Sequence, residues 1–292
     1  MDQVALFTYP SAVTTYKLFA IDVDGTLVRR DGSIHDEDLL AIGRLQAAGV
    51  PVSIATGRLY SGTRDVARRV GVIGPIACVD GSHIVHTDGD AHLYSRTISG
   101  NEAALLRSIT ERHATACFLF AQDSIVHDAS GAPHVHYVRG WSHVIAEVER
   151  VSSHPYWEHD HGLLALVAIG TEPQIAAAVE EIRSELGQAA SVVSFPFLND
   201  GRTSVFAMLV RAAGPTKGTA ITWLAEHYGC TPSDVVVVGD WLNDVPMFEV
   251  AGRSFVMGQA PENVKQAATD RLEADGLLGG GIAEAIYRAF GR

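Results

Sequence analysis

The sequence predicts an α/β protein: a Rossmann-like parallel sheet covered by helices, interrupted by an inserted α+β domain. Three observations predict it. Between residues 19 and 79, apolar runs alternate with helix-period segments in the order strand, helix, strand, helix, strand, which is the pattern of a parallel sheet with crossover helices. From 81 to 208 the strands come in neighbouring pairs with helices between them, as in an α+β module. After 210 the helix–strand alternation returns. The simplest organisation is a core made of residues 1–81 and 210–292 and an insert spanning 82–209.

The elements follow in order. Residues 1–16 read as an extension without a clear element. The apolar run from Phe19 to Asp22 is a short buried strand. A helix begins within 33–35 and runs to 49, with Leu39, Leu40, Ile42, Leu45 and Ala48 apolar and Gly49 at its stop. Residues 50–55 form a second strand, 61–70 a helix and 76–79 a third strand. In the insert, 84–85 and 93–94 are short strands around a polar turn, 101–113 a helix, and 116–121 with 124–127 a strand pair. The pattern then predicts a helix at 138–148, a strand at 163–169, a helix at 173–186, and strands at 191–195 and 204–210. The core resumes with a helix at 217–228 behind Pro215, strands at 235–238 and 255–257, and helices at 260–268 and 282–290.

A chain of 292 residues, 47% hydrophobic, has material for a sizeable core. Its net charge of -12 argues against general nucleic-acid binding, which needs a basic footprint. A local metal and a few cations can still attract an anion to one cleft. Cys78, Cys117 and Cys230 are sparse and lack ligand spacing, which suits a reducing compartment. The first 17 residues show no basic stretch followed by a long apolar one, and no apolar run is long enough to span a bilayer. A cytoplasmic protein without membrane or nucleic-acid partners is expected.

Chemistry concentrates at strand ends. The first strand stops at Asp22-Val23-Asp24-Gly25-Thr26. If the strand continued, Asp22 and Asp24 would share a face, and two close carboxylates repel unless a cation compensates. A hard divalent ion such as Mg2+ fits oxygen ligands. Read alone, the same residues also describe an ordinary turn. Thr56-Gly57-Arg58 follows the second strand, Asp80 the third, and Gly239-Asp240-Trp241-Leu242-Asn243-Asp244 the strand at 235–238. Parallel sheets bind ligands outside such carboxyl ends.

Those segments, together with Lys217-Gly218 and in this order, resemble the haloacid dehalogenase (HAD) superfamily of phosphohydrolases. The insert resembles the C2B cap of the Cof-type subfamily, and Met257-Gly258 with the segment 260–268 adds to the match. The resemblance covers most of the chain. It implies a Mg2+-dependent phosphatase acting on a small phosphorylated metabolite such as a sugar phosphate. Asp22 would be the nucleophile that forms an aspartyl-phosphate, and Asp24 the general acid and then base. Asp22, Asp240 and the Asp24 backbone carbonyl would hold Mg2+, with Asp244 ordering metal-bound water. Thr56 and Lys217 would complete the catalytic set, and Gly57, Arg58 and Asn243 would contact phosphate or substrate. For Arg58, a contact to phosphate, a contact to the cap and a surface ion pair all remain open.

Departures accompany the resemblance. Asp80 stands where Cof-type chains often carry Asn, and a carboxylate there would repel phosphate unless it turns aside or faces the metal. Trp241 stands at a position often small or polar. All histidines except His35 and His227 lie between residues 83 and 161, but His134-His136 and His159-His161 lack the Cys or carboxylate pattern of a zinc site. They are expected as scattered surface and cleft residues. Tyr137, Trp141, Tyr156 and Trp157 suit cap packing or stacking on a substrate. The rival readings are a phosphomutase, which shares the aspartyl-phosphate and ends in transfer, and a phosphometabolite-binding protein without turnover.

Overall fold

The structure is a computed structural model describing residues 16–121, 123–158, 162–199 and 202–291. The predicted extension before Tyr16 and the pair His159 and His161 lie outside the described residues. The chain begins with β1 (Leu18–Ile21), α1 (Asp36–Ala47), β2 (Val52–Ile54), α2 (Tyr60–Arg69) and β3 (Pro75–Cys78). Every residue of β1, β2 and β3 is buried, as expected for strands covered on both faces. α1 is capped by His35, whose side chain accepts from the Glu37 amide, and Asp36, Glu37 and Asp38 in its first turn complement the helix dipole.

β4 (His83–His86) and β5 (Ala91–Ser95) form a hairpin that pairs antiparallel with β3. The insert continues through α3 (Gly100–Arg112), β6 (Ala116–Ala121), β7 (Ser124–His127), α4 (Val135–Val138), β8 (Ile145–Glu147), β9 (Leu163–Gly170), α5 (Glu172–Leu186), β10 (Ala190–Asn199) and β11 (Arg202–Ala212). The chain then forms α6 (Lys217–His227), β12 (Val235–Gly239), α7 (Val245–Val250), β13 (Arg253–Val256), α8 (Glu262–Lys265), β14 (Asp270–Arg271) and α9 (Gly281–Phe290).

The core sheet has the order β14-β13-β12-β1-β2, parallel throughout, and a bridge from Ala55 to Ala77 carries it on to β3. The expected α/β class with an inserted α+β domain is therefore the observed one. The second sheet, β10-β11-β9-β6-β7-β8, is mixed. One face is covered by α3 and α5, where Leu106, Ile109, Ile175 and Ile182 pack with Leu119, Leu166 and Met208. Side chains alternate along β11, so Ala207, Leu209 and Arg211 lie on the opposite face. No helix among the described residues is long and apolar enough to cross a membrane.

Two predicted helices are corrected. Residues 138–148 do not form one helix; the chain leaves α4, turns at Trp141 and Ser142, and becomes β8 beside β7. Tertiary bonds take the groups a helix would need. The Trp141 carbonyl accepts from Leu59 N at 2.9 Å, buried Ser142 Oγ lies 2.7 Å from Ser61 Oγ, and the Val144 carbonyl accepts from Ile125 N. The helix expected over 260–268 shrinks to α8, because Thr269 and Ser254 exchange side-chain and backbone bonds that draw the chain alongside β13. α7 and β14 are too short to show in the sequence pattern.

The β4–β5 hairpin carries a titratable pair. His83 is buried, its Nε2 lies 2.7 Å from His92 Nδ1, and its own Nδ1 has no hydrogen-bond partner. Burial first, and His92 second, push the His83 pKa down to about 4 from 6.5. The unfolded chain therefore binds more protons between those values, and stability is lost as pH falls through that window. The shift corresponds to about 3 kcal/mol. Urea unfolding of His83→Leu is expected to lose less stability than the parent between pH 7 and 4; parallel pH dependences would contradict the assignment.

Candidate active site

Strand register sets the frame. Ile21 is opposite Val238 on one side and Ile54 on the other, so β12, β1 and β2 end together. The Asp22 amide donates to the Val238 carbonyl at 2.9 Å, and the Ala55 amide to the Ile21 carbonyl at 3.0 Å. Asp22, Asp240 and Thr56 are thereby delivered to one edge of the sheet.

Carboxylate oxygens of Asp22, Asp240 and Asp244 lie within 4.8 Å of one another. Lys217, at the start of α6 and 1% exposed, places Nζ 2.5 Å from Asp22 Oδ1 and 2.6 Å from Asp244 Oδ1. The other Asp244 oxygen accepts from the amides of Asp240 and Trp241 at 2.8 and 2.9 Å, which folds the loop back on itself. Asp240 accepts from Thr26 Oγ1 at 3.4 Å and from Gln259 Nε2 at 3.1 Å. Gln259 also donates to the Gly25 carbonyl at 2.6 Å. Gly25 has φ +79, and a Cβ there would meet Asp240 Oδ2 at 2.5 Å, so glycine is required on both counts.

Burial raises the Asp22 pKa, Lys217 opposes that rise, and Asp244 and Asp240 add to it. Burial and then Asp244 push Asp240 up to about 6. Burial works against the Lys217 ammonium, but Asp22, Asp244 and Asp80 outweigh it and its pKa rises. With all three carboxylates ionised, as metal binding requires, they exceed the one ammonium by two negative charges. A donor set of oxygens alone with that charge fits a hard divalent cation. Among the described residues this is the one group of three or more His, Cys, Asp and Glu whose ligand atoms converge. The cap histidines form no such group among the described residues.

The remaining residues named from the sequence fall into two further groups. Asp24 is exposed, and both its oxygens are taken by Arg58, from Nε at 2.8 Å and Nη2 at 2.5 Å. Its carboxylate is not part of the converging cluster. Thr56 is buried, and its Oγ1 accepts from the Arg58 amide at 3.2 Å. Gly57 sits beside Asp80 and Asn243, and Asn243 Nδ2 donates to Asp80 Oδ1 at 2.8 Å. Trp241 is 56% exposed and does not pack into the core.

Sequence reasoning missed Gln259, Thr26 as a partner of Asp240, and Arg211. Thr26 stood inside the Asp-Gly-Thr motif, and Gln259 directly follows Met257-Gly258. Arg211, which reaches Asp80 Oδ2 at 2.9 Å, sits in an apolar strand with no motif around it.

Comparison with known proteins follows the same lines. A family model described as haloacid dehalogenase-like hydrolase matches residues 19–286. The HMP-PP phosphatase of Yersinia pseudotuberculosis is 26% identical over 253 residues, covering 86% of this chain and 87% of that one. A haloacid dehalogenase-like hydrolase structure from Bacteroides thetaiotaomicron superposes with TM-score 0.78 at 24% identity, covering 94% of this chain and 100% of the other. A HAD subclass IIB sugar phosphatase gives TM-score 0.72 at 22% identity over 94% and 99%. The parallel core with its inserted mixed-sheet cap is the subclass IIB architecture. The chain belongs to the haloacid dehalogenase-like hydrolase family and is an enzyme of the HAD phosphatase type.

Proposed function

We propose that this protein is a Mg2+-dependent phosphatase that hydrolyses a small phosphate monoester through an aspartyl-phosphate on Asp22. The observation that carries the reading is the Asp22–Lys217–Asp244–Asp240 cluster, a buried carboxylate oriented by a buried ammonium at the edge of a parallel sheet. Asp22, Asp240 and the Asp24 carbonyl would hold Mg2+, with Asp244 behind them. The ion, when bound, offsets negative charge on the carboxylates and on the phosphoryl oxygens.

Lys217 holds one oxygen of Asp22 and so orients the other for attack on phosphorus. A bond forms from Asp22 to phosphorus as the bond to the leaving oxygen breaks. Asp24 exchanges Arg58 for the leaving oxygen, takes a proton from solvent and passes it to that oxygen as the bond breaks. Asp24 then takes a proton from water as that water attacks phosphorus, which breaks the Asp22–phosphorus bond and frees phosphate. Thr56, Lys217 and Asn243 steady the phosphoryl oxygens, with Gly57 and Arg58 shaping the loop around them.

The relatives support a substrate class. One is an HMP-PP phosphatase and another a sugar phosphatase, so a small phosphorylated metabolite is proposed here. The division into a core, 1–81 and 210–292, and a cap, 82–209, belongs to the same reading. Two edges of that division are proposed to shift: β4 and β5 pair with β3 and stay with the core, and β11, paired with β9 as far as Arg211, belongs to the cap, which closes and excludes water.

The test is release of inorganic phosphate from a panel of phosphorylated metabolites with Mg2+. Metal-dependent release is expected. An isomerised sugar phosphate without free phosphate would favour a mutase, and tight binding without any turnover would favour a binding protein.

A further inference from the structure

The carboxylate that fits no family role is Asp80, and its surroundings are unusually connected. Asp80 is buried, and its two oxygens are divided between domains. Oδ1 accepts from Asn243 in the core, and Oδ2 pairs with Arg211 on the last strand of the cap. The same guanidinium nitrogen of Arg211 donates to the Val79 carbonyl at 3.3 Å. Arg211 lies on the β11 face that looks away from α3 and α5.

The backbone here is strained. Val79 and Asp80 have φ values of +49 and +50, a conformation that costs any L residue energy and a β-branched one most. Gly81 follows at φ +94, and a Cβ on it would meet the Thr216 carbonyl at 2.6 Å, one residue before Lys217. The strained amides are used. Val79 N donates to the Arg58 carbonyl and Asp80 N to the Thr56 carbonyl, each at 2.9 Å. One turn of three residues therefore touches the Thr56-Gly57-Arg58 loop, Asn243, the start of α6 and the cap strand leading back into the core.

We propose that Arg211 and Asp80 are a matched pair of positioning residues: Arg211 clamps the strained turn 79–81 from the cap side, and Asp80 sets the Asn243 amide and the Thr56 loop. Asn243 has two amide hydrogens. Asp80 takes one, and the planar geometry of the amide then fixes the direction of the other beside Gly57. Arg211 also answers the repulsion that a carboxylate at this position would exert on a phosphate, since its positive charge stays with Asp80. The position of the cap is thereby tied to the geometry of the phosphate-binding loop. This inference rests on the phosphatase reading for its kinetic consequence and on the structure alone for its mechanical one.

The two parts are tested separately. Amide hydrogen exchange is compared for the parent, Arg211→Met and Asp80→Asn. Faster exchange confined to peptides covering 56–58, 79–81 and 240–244, with α3 and α5 unchanged, is expected. Unchanged exchange in those peptides, or a rise spread evenly over cap and core, would overturn the pairing whether or not the protein turns over substrate. In kinetics with p-nitrophenyl phosphate and Mg2+, each substitution is expected to lower kcat/KM by about 10–100-fold, as loss of a positioning partner does. The double variant should lose no more than the worse single variant, and Arg211→Lys should retain an intermediate rate. Losses that multiply would overturn the pair. A parent without any hydrolysis would strike the phosphatase reading instead, and the exchange result would still decide the clamp.

Discussion

Asp22→Asn is expected to abolish turnover, by at least about 10³-fold in kcat, because removing the group that forms the covalent bond leaves only binding and electrostatics. The substitution keeps shape and a hydrogen-bond acceptor for Lys217, so the fold should survive. Its stability effect runs the other way from its activity effect. Burial raises the Asp22 pKa above the ordinary 3.8, with Asp244 and Asp240 adding to that rise. The folded state therefore holds its proton to higher pH than the unfolded chain, and stability falls as pH rises through that interval. A neutral amide removes this cost at pH 7. With chelator present, Asp22→Asn should melt no lower than the parent. Phosphate release within tenfold of the parent, or collapse of the fold, would contradict these roles.

Lys217→Met is expected to damage both stability and rate. The ammonium is buried between Asp22 and Asp244, and methionine fills much of the same length without charge. Breaking such a pair leaves carboxylates unpaired and typically costs about 3–5 kcal/mol. The loss should appear in urea unfolding with chelator and shrink when Mg2+ is added, since the ion supplies positive charge to the same oxygens. Turnover should fall by about 10²–10³-fold, the range seen when one electrostatic stabiliser of a transition state is removed. Stability equal to the parent in chelator, or a stability loss that Mg2+ leaves untouched, would show that Lys217 does not neutralise the cluster.

The core was legible because its strands are short, wholly buried runs bounded by turn residues. Leu18–Ile21 and Val235–Gly239 announce themselves by composition, and the residues that follow each run are then placed at the carboxyl edge by parallel register. That register brings Asp22 and Asp240 together, while Lys217 arrives from the start of α6 and Asp244 through the loop that follows β12. Other parts depend on contacts far apart in sequence. The stretch 138–148 has an acceptable helical pattern, but Leu59 and Ser61, some eighty residues earlier, capture its backbone and Ser142. Asp24 follows the same motif as Asp22, yet nothing local reveals that Arg58 holds both its oxygens. Asp80 looked like a repulsive intruder because its answering charge, Arg211, is hidden in an apolar strand. Gln259 is a single polar residue whose role depends on where the Gly25 carbonyl lies.

The account turns on Asp22 as the attacking group. The most direct measurement is acid quench during turnover with substrate and Mg2+, followed by peptide mass spectrometry. The account predicts a phosphorylated peptide whose modification maps to Asp22, absent from Asp22→Asn and accumulating when the Asp24 carboxyl is replaced in Asp24→Asn. Steady hydrolysis with no phosphorylated peptide, or phosphate mapped to a residue other than Asp22, would contradict it.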